Sequence, residues 1–186
     1  LGRFLVLYPD LALQVDAASW LQVLGLLTAL WGGLAALGQR HLGRLLGYAA
    51  LHDFGAVVLG MSLGGPLGTA TVLGLMAGRA FSLLLAALGL SVICACAGSS
   101  EYAVVRGAIT RLPWAVIGFL GGGLGLAGWP LTAGFASRWA LLQLLAERRP
   151  FSAAMLLLAA VGVCFGFVRA GAALAGSIAA EYAQAS

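Results

Sequence analysis

The sequence contains no lysine and has few charged residues of any kind. Only 9% of its 186 residues are charged, and all ten basic residues are arginine. A soluble domain carries about 25% charged residues, and the mean hydropathy of +1.03 marks a strongly apolar chain. The composition therefore excludes an ordinary water-soluble fold. The net charge of +4 forms no basic stripe, so we expect no nucleic-acid partner.

The residue sets that carry catalysis or hold cofactors are also missing. Cys94, Cys96 and Cys164 form no Cys-x-x-Cys pair and lie in apolar segments, which predicts packing residues instead of disulfides or metal ligands. No nucleophile and base set, metal-ligand cluster or phosphate-binding loop is evident, because the glycine run 121–123 lies within an apolar segment. We expect no catalytic residue, no metal and no cofactor on this chain.

Long apolar runs are abundant. A bilayer core about 30 Å thick needs about 20 apolar residues in a helix. Runs of this kind cover approximately residues 19–37, 45–63, 69–95, 113–145 and 151–176. The 28 glycines would let such helices pack closely in lipid. We predict an all-α membrane protein, a single transmembrane domain of about five helices surrounded by the lipid bilayer.

The fourth apolar run contains two interruptions. The triplet Gly121–Gly123 and then Gly128 and Pro130 break its helical pattern. We therefore predict a discontinuous helix, broken near residues 121–130. Broken membrane helices are tolerated where their freed backbone groups line a cavity or contact protein, and they often lie beside ion sites. The alternative is a simple proline kink.

The ends and loops of the chain give weaker signals. No charged segment with a cleavage-site pattern follows Leu1, so we expect no signal peptide, and residues 1–8 look like the end of a helix. Loops 38–44 and 97–112 carry four arginines, whereas the opposite side of the predicted helices carries three. By the positive-inside rule, loops 38–44 and 97–112 are predicted to face the cytoplasm, with the chain in a bacterial inner membrane.

Two opposite charges lie in the middle of neighbouring predicted helices. Asp53 and Arg79 are each about 11 or 12 residues from the turn near Gly64. At about 1.5 Å per residue, both lie about 17 Å from that turn, on antiparallel helices. They are therefore level and could pair, either to fix helix packing or as part of an ion pathway. His52 could titrate near neutral pH, but adjacent helical residues point about 100° apart, so it need not share a face with Asp53.

Another arginine follows the predicted break. Arg138 lies eight residues after Pro130, with Thr132 and Ser137 nearby. This arrangement predicts a functional polar site, and the alternative is an arginine held in a purely structural contact between helices. Arg169 lies close to the end of the last predicted helix, where snorkelling towards the membrane surface accounts for it, and we assign it no role.

Two motifs resemble the antiporter-like subunits of complex I and of multisubunit cation/proton antiporters. One covers residues 25–48, where GLLTALWGGLAAL is followed by QRHLGRLLGY, with Gly55 beyond it. The other is GLAGWPLTAGFASR at residues 125–138, which is similar to the broken helix of that family. The resemblance covers nearly the whole chain. It implies the ninth to thirteenth helices of a fourteen-helix subunit, with residues 1–8 as the end of the eighth, and a fold like the second inverted repeat.

The resemblance also implies a function. Members of the family are thought to move protons along mid-membrane lysine, histidine and glutamate residues, driven by quinone chemistry on other chains. In this sequence Arg138 aligns with the lysine of the broken helix, and Ser82 and Gly78 align with the lysine and histidine of an "H-x-x-x-K" helix. Arginine remains protonated in almost any protein environment, so Arg138 can bias neighbouring groups but is not expected to relay a proton.

These observations support a leading hypothesis and three alternatives. The leading one is a membrane subunit, or the C-terminal part of one, in an NADH-dehydrogenase-like proton-translocating complex with other membrane subunits as partners. Its predicted proton or ion pathway comprises His52, Asp53, Arg79, Ser82, Thr132 and Arg138. The alternatives are a truncated paralogue that serves only as a scaffold, a subunit of a multisubunit sodium/proton antiporter, and an unrelated small transporter.

Overall fold

The structure is a computed structural model that describes residues 16–132 and 134–176. The segment 1–8, interpreted above as the end of a helix, lies outside the described residues. Within them the regular structure is helical, apart from one isolated bridge between His41 and Glu101. The helices are α1 (Ala17–Leu37), α2 (Leu42–Ser62), α3 (Gly65–Ala97), α4 (Ala108–Arg111), α5 (Pro113–Ala127), α6 (Phe135–Arg148) and α7 (Pro150–Ala175).

Four of these helices, α1, α2, α3 and α7, are long and apolar enough to cross a membrane, and α5 is a shorter apolar helix. The predicted fold class, an all-α membrane protein with one discontinuous helix, is confirmed. The helix ends differ from the predicted ones by a few residues. The largest difference is at the start of α3, which was predicted near Thr69 and lies at Gly65.

Helix α2 lies at the centre of the bundle. It contacts α1, α3, α5 and α7, and more than half of its residues are buried, compared with about a quarter of those of α3. Helix α1 also packs along α7, while α3 packs along α5 and contacts α6. A polar side chain in the middle of α2 is therefore surrounded by protein, and one on α3 can lie between protein and membrane.

Small residues set the distances between the helices. A Cβ atom on Gly55 of α2 would lie 2.4 Å from the backbone nitrogen of Ala29 in α1. A Cβ atom on Gly122 of α5 would lie 2.5 Å from the backbone oxygen of Ser82 in α3. Only glycine permits such backbone contact, and close packing through small residues is typical of membrane helices.

The break in the fourth apolar run lies later than predicted. Gly121–Gly123 are helical residues within α5, which ends at Ala127, and the next helix begins at Phe135. The prediction that the triplet interrupts the helix is wrong, because Gly122 is needed for contact with α3 and hydrogen bonds along α5 remain intact. Gly128 and Pro130 lie outside both helices, between α5 and α6.

The two loops predicted to share one side of the membrane lie together at one end of the bundle. The backbone nitrogen of Leu42 donates to the carbonyl of Ser100 at 2.8 Å, and that of Tyr102 donates to the carbonyl of Arg40 at 3.0 Å. The second loop also contains the short helix α4, which the sequence did not indicate. This end of the bundle is thus held by pairing between the two loops.

Candidate functional site: a carboxylate between two arginines

Asp53 and Arg79 form the ion pair that their positions along the chain predicted. Arg79 Nη1 lies 3.2 Å from Asp53 Oδ2, and the same nitrogen donates to the carbonyl of Ala50 at 3.2 Å. The Arg79 guanidinium carbon also lies 5.4 Å from the centre of the Phe54 ring, a distance at which a cation interacts favourably with an aromatic face. Three groups on α2 therefore hold this arginine.

Arg138 reaches the same carboxylate from the second half of the broken helix. Its Nη2 donates to Asp53 Oδ1 at 2.6 Å and to the carbonyl of Leu126 at 2.6 Å. Only 4% of Arg138 is exposed, and its Nη1 has no hydrogen-bond partner among residues 16–132 and 134–176. The contact between Arg138 and Asp53, which are 85 residues apart, joins α6 to the central helix.

The break in the helix makes room for the Arg138 side chain. Gly128 follows the last residue of α5 in the left-handed conformation, with φ of 76°. A Cβ atom there would lie 2.5 Å from Arg138 Cγ. Pro130 and Leu131 continue the turn, and Leu131 also has a positive φ, of 73°. The turn frees the carbonyl of Leu126 from the helical pattern, and Arg138 satisfies this acceptor.

The cluster of Asp53, Arg79 and Arg138 carries two positive charges and one negative charge. The Asp53 side chain is 5% exposed, that of Arg138 is 4% exposed and that of Arg79 is 20% exposed. Each carboxylate oxygen contacts a different arginine, and each arginine comes from a different helix. Buried charges persist in a membrane protein when they are paired in this way.

His52 is buried beside the cluster but turns towards another helix. Its Nδ1 lies 3.1 Å from the carbonyl of Ala29 in α1. Because a carbonyl can only accept, Nδ1 carries the ring hydrogen in this contact, which leaves a lone pair on Nε2 of the neutral ring. Nε2 is buried and has no partner among the described residues. His52 thus adds a hydrogen-bond-accepting nitrogen to the interior of the bundle.

Two hydroxyl side chains, those of Ser82 and Thr132, lie next to Gly125 of α5. A Cβ atom on Gly125 would lie 2.4 Å from Ser82 Oγ and 3.7 Å from Thr132 Cβ. Ser82 is buried and follows Arg79 by one turn of α3. The Thr132 hydroxyl donates to the carbonyl of Trp129 at 2.6 Å, so it stabilises the turn of the broken helix.

Of the six predicted pathway residues, the structure brings Asp53, Arg79 and Arg138 into direct contact. The other three predicted residues are His52, Ser82 and Thr132. Within the described part of the chain, none of them forms a hydrogen bond with Asp53. The backbone carbonyls of Ala50 and Leu126 belong to the site and were not predicted. The carbonyl of Leu126 could have been suspected, because a broken helix leaves carbonyls free just before the break.

Arg169 has a role that the sequence analysis did not assign. Its two terminal nitrogens donate to the carbonyls of Leu37 and Gln39, at and just beyond the end of α1. The last carbonyls of a helix lack partners within it, and an arginine stabilises them by hydrogen bonds and by its charge. Snorkelling is therefore an incomplete explanation, because Arg169 ties α7 to the end of α1.

The described residues contain no group of three or more histidine, cysteine, aspartate or glutamate residues that could hold a metal ion. The three cysteines are free thiols, of which Cys94 and Cys164 are partly buried and Cys96 is exposed. The absence of cofactors on this chain remains a prediction. The site as described offers one carboxylate, one neutral imidazole and two fixed positive charges.

Comparisons with known proteins agree with this architecture. The chain is 33% identical over 132 residues to NADH-quinone oxidoreductase subunit N of Syntrophotalea carbinolica, covering 70% of this chain and 28% of that protein. It is 32% identical over 127 residues to subunit L of Pseudomonas aeruginosa, covering 68% of the chain and 20% of that protein. Formate hydrogenlyase subunit 3 of Escherichia coli is 34% identical over 136 residues, covering 66% of the chain and 22% of that protein.

A solved structure has the same fold. A chain of the membrane-bound sulfane sulfur reductase, an archaeal respiratory membrane complex, superposes with a TM-score of 0.80 at 21% identity, covering 86% of this chain and 33% of that one. The present chain spans only a fifth to a third of the length of these proteins. The sequence model described as "NADH:quinone oxidoreductase/Mrp antiporter, TM" matches residues 1–166. The chain therefore belongs to the NADH:quinone oxidoreductase/Mrp antiporter transmembrane family.

Proposed function

We propose that this chain is a membrane subunit, or part of one, of an NADH-dehydrogenase-like complex, and that it contributes a mid-membrane polar site to proton translocation. The observation that carries the proposal is the Asp53 carboxylate, buried in the central helix between Arg79 and Arg138. An ionisable group at this depth is costly, so it marks an ion pathway by default. The two arginines lower that cost.

The residues of the site have different chemical roles in this proposal. Asp53 can gain and lose a proton, and the neutral ring of His52 can accept a hydrogen bond, whereas the arginines remain charged and act as fixed positive charges. Protonation of Asp53 would weaken its contacts with Arg79 and Arg138 together, because each arginine pairs with one oxygen of the same carboxylate. A proton arriving at Asp53 would therefore loosen the link between α2, α3 and α6 at once.

The hydroxyls of Ser82 and Thr132 extend the polar site towards the broken helix in this proposal. Both lie beside Gly125, the residue before the Leu126 carbonyl that Arg138 contacts. Water molecules between these groups would complete a hydrogen-bonded path, since hydroxyls both donate and accept. Backbone groups freed by a broken helix favour such hydration where they line a cavity.

The partners in this proposal are other membrane subunits of the same complex. Support comes from the relatives, whose names describe subunits of NADH-quinone oxidoreductase and formate hydrogenlyase. The membrane would be a bacterial inner membrane, with loops 38–44 and 97–112 in the cytoplasm. Cysteine labelling tests this orientation. A cysteine placed at Ser100 in a variant without the native thiols should react with an impermeant reagent only when it is applied from the cytoplasmic side.

The test of proton translocation is the substitution Asp53→Asn, with Glu147→Gln as a matched control. Both changes replace a carboxylate by its amide, but Glu147 is exposed near the end of α6. Proton movement is measured in membrane vesicles, together with the oxidation rate of the electron donor and the co-migration of the chain with its complex. We expect Asp53→Asn to reduce protons moved per donor oxidised in the complexes that assemble, and Glu147→Gln to have no effect.

A scaffold without transport is the second candidate, and two observations favour it. The chain has no lysine, and Asp53 is already fully engaged by two arginines that cannot release protons. In that case Asp53→Asn would impair assembly of the complex, whereas proton movement per donor oxidised would stay normal in the fraction that assembles. The same experiment therefore separates the two functions.

The transported ion is a further point that the family leaves open, because its description includes Mrp antiporters. A sodium/proton antiporter subunit would give proton movement that requires sodium on the opposite side of the membrane. Repeating the vesicle measurement with sodium replaced by choline distinguishes this alternative. We expect no sodium requirement, because sodium needs several oxygen ligands and both carboxylate oxygens of Asp53 already contact arginines.

A further inference from the structure

A groove runs between α3 and α5, and none of its residues belongs to the proposed proton pathway. It has a volume of about 390 Å³. Its floor is formed by small residues, since a Cβ atom on Gly89 of α3 would lie 2.4 Å from the carbonyl oxygen of Ala115 in α5. Its walls are large apolar side chains that are 38–84% exposed, namely Leu85, Leu88, Val92 and Trp114. The groove is therefore apolar and open to the surroundings of the bundle.

The groove lies at the boundary between the hydrocarbon core of a membrane and the lipid headgroups. Arg79 is level with Asp53, near the middle of the central helix α2. At about 1.5 Å per residue, Leu85 lies about 9 Å and Val92 about 20 Å further along α3. Half of a bilayer core is about 15 Å thick, and the headgroup region extends to about 20–22 Å from the centre. The apolar walls thus begin inside the hydrocarbon, and the groove ends at the depth of the headgroups.

An unpaired arginine lies at the headgroup end of the groove. Arg111, the last residue of α4, is exposed and lines the groove. Its guanidinium has no hydrogen bond or ion pair with any other described residue. Arg111 and Leu112 also line a second cavity, of about 410 Å³, which lies against the loop 98–107. The charge of Arg111 therefore lies between an apolar groove and open space for a polar group.

We propose that the groove binds an anionic phospholipid, with its phosphate on Arg111 and one acyl chain between α3 and α5. A guanidinium donates several hydrogen bonds to phosphate oxygens, and tryptophans such as Trp114 are enriched at this depth in membrane proteins. A zwitterionic lipid fits less well, because its cationic headgroup would lie near Arg111.

Other occupants fit the groove less well. A free phosphate ion would satisfy Arg111 but would leave the apolar walls without an occupant. A further helix is about 10–12 Å wide with its side chains, which is too wide to enter a groove whose floor is the backbone contact between α3 and α5. An acyl chain is narrow and apolar, and it ends in the phosphate that the arginine requires.

The test uses photocrosslinking in the assembled complex and two pairs of variants. The probe is phosphatidylglycerol with a diazirine in its acyl chain, and labelled peptides are identified by mass spectrometry. Arg111→Gln removes the charge, whereas Arg44→Gln removes an exposed arginine at the same end of the bundle that lines neither cavity. Val92→Trp fills the groove, whereas Val168→Trp makes the same change at an exposed position of α7 outside it.

We expect the probe to label the segment 85–118 of the unmodified protein more strongly than phosphatidylcholine that carries the same diazirine. Arg111→Gln should require about fivefold more phosphatidylglycerol for half-maximal labelling, which is the contribution of one arginine near a membrane surface. Val92→Trp should abolish labelling of this segment, and both control variants should be labelled normally.

Equal labelling by the two lipids, or equal labelling of Arg111→Gln and Arg44→Gln, would overturn the proposal. Displacement of the probe by millimolar inorganic phosphate would also overturn it, because the site would then bind a free anion. The same holds if Val92→Trp releases the chain from its complex without changing the labelling, since the groove would then contact another subunit. Arg111→Gln changes an exposed side chain, so it tests the site even if Val92→Trp impairs folding.

Discussion

Replacing Asp53 by asparagine should destabilise the protein by an amount that the burial of the cluster allows us to estimate. The substitution preserves volume but leaves Arg79 and Arg138 with no counter-charge among the contacts described for this site. Removing one partner of a buried ion pair costs about 3–5 kcal/mol. The amide oxygen can still accept one hydrogen bond, and Arg79 retains the Ala50 carbonyl and the Phe54 ring. We therefore expect a loss of about 3 kcal/mol.

Thermal unfolding in mild detergent measures this loss. For a chain of this size about 1 kcal/mol corresponds to roughly 2–4 °C in Tm, so Asp53→Asn should lower Tm by about 10 °C. The matched control Glu147→Gln, an exposed amide replacement, should change Tm by about 1 °C or less. Combining Asp53→Asn with Arg138→Gln removes one charge of each sign, and we expect the double variant to recover at least half of the loss.

The argument fails if Asp53→Asn unfolds at the same temperature as Glu147→Gln. It also fails if the effects of Asp53→Asn and Arg138→Gln simply add, because residues in direct contact should show a coupling free energy. Either result would mean that the contact between Arg138 and Asp53 does not contribute to holding α6 against α2.

Three further predictions concern helix contacts. Gly128→Val should lower Tm and detach the second half of the broken helix, measured by proteolysis near the break, because a Cβ atom there meets Arg138 and the φ of 76° disfavours side chains. Gly55→Val should destabilise by about 3 kcal/mol or more through overlap with α1, whereas Gly47→Ala, which has open space, should leave Tm nearly unchanged. Arg169→Gln should destabilise the protein by about 1 kcal/mol, measured as a lower Tm, and should increase hydrogen exchange at the end of α1. Unchanged exchange there would contradict the capping role of Arg169.

The ion pair between Asp53 and Arg79 could be predicted because a tight turn joins their helices. Equal distances from the turn place two residues at equal depth, whatever the details of packing. The contact with Arg138 could not be predicted in the same way. It depends on the path of the backbone after Gly128, where two residues adopt positive φ and helical periodicity no longer applies.

The position of the break was misjudged for a related reason. A run of glycines indicates a loop in water, where glycine weakens a helix by about 1 kcal/mol relative to alanine. In this bundle Gly122 instead contacts the α3 backbone, and the small residue is required for packing. The capping role of Arg169 was missed because it depends on a contact between residues more than 100 positions apart in the chain.

The most direct test of the central claim is whether Asp53 changes its protonation state when protons move. Infrared difference spectroscopy of the complex, recorded as a proton gradient is imposed across the membrane, detects the carbonyl stretch of a protonated carboxyl group. We predict such a signal in the unmodified protein and in Glu147→Gln, and its loss in Asp53→Asn. If the unmodified protein gives no signal that depends on Asp53, the carboxylate is a permanent partner of Arg79 and Arg138, and the site serves helix packing without carrying protons.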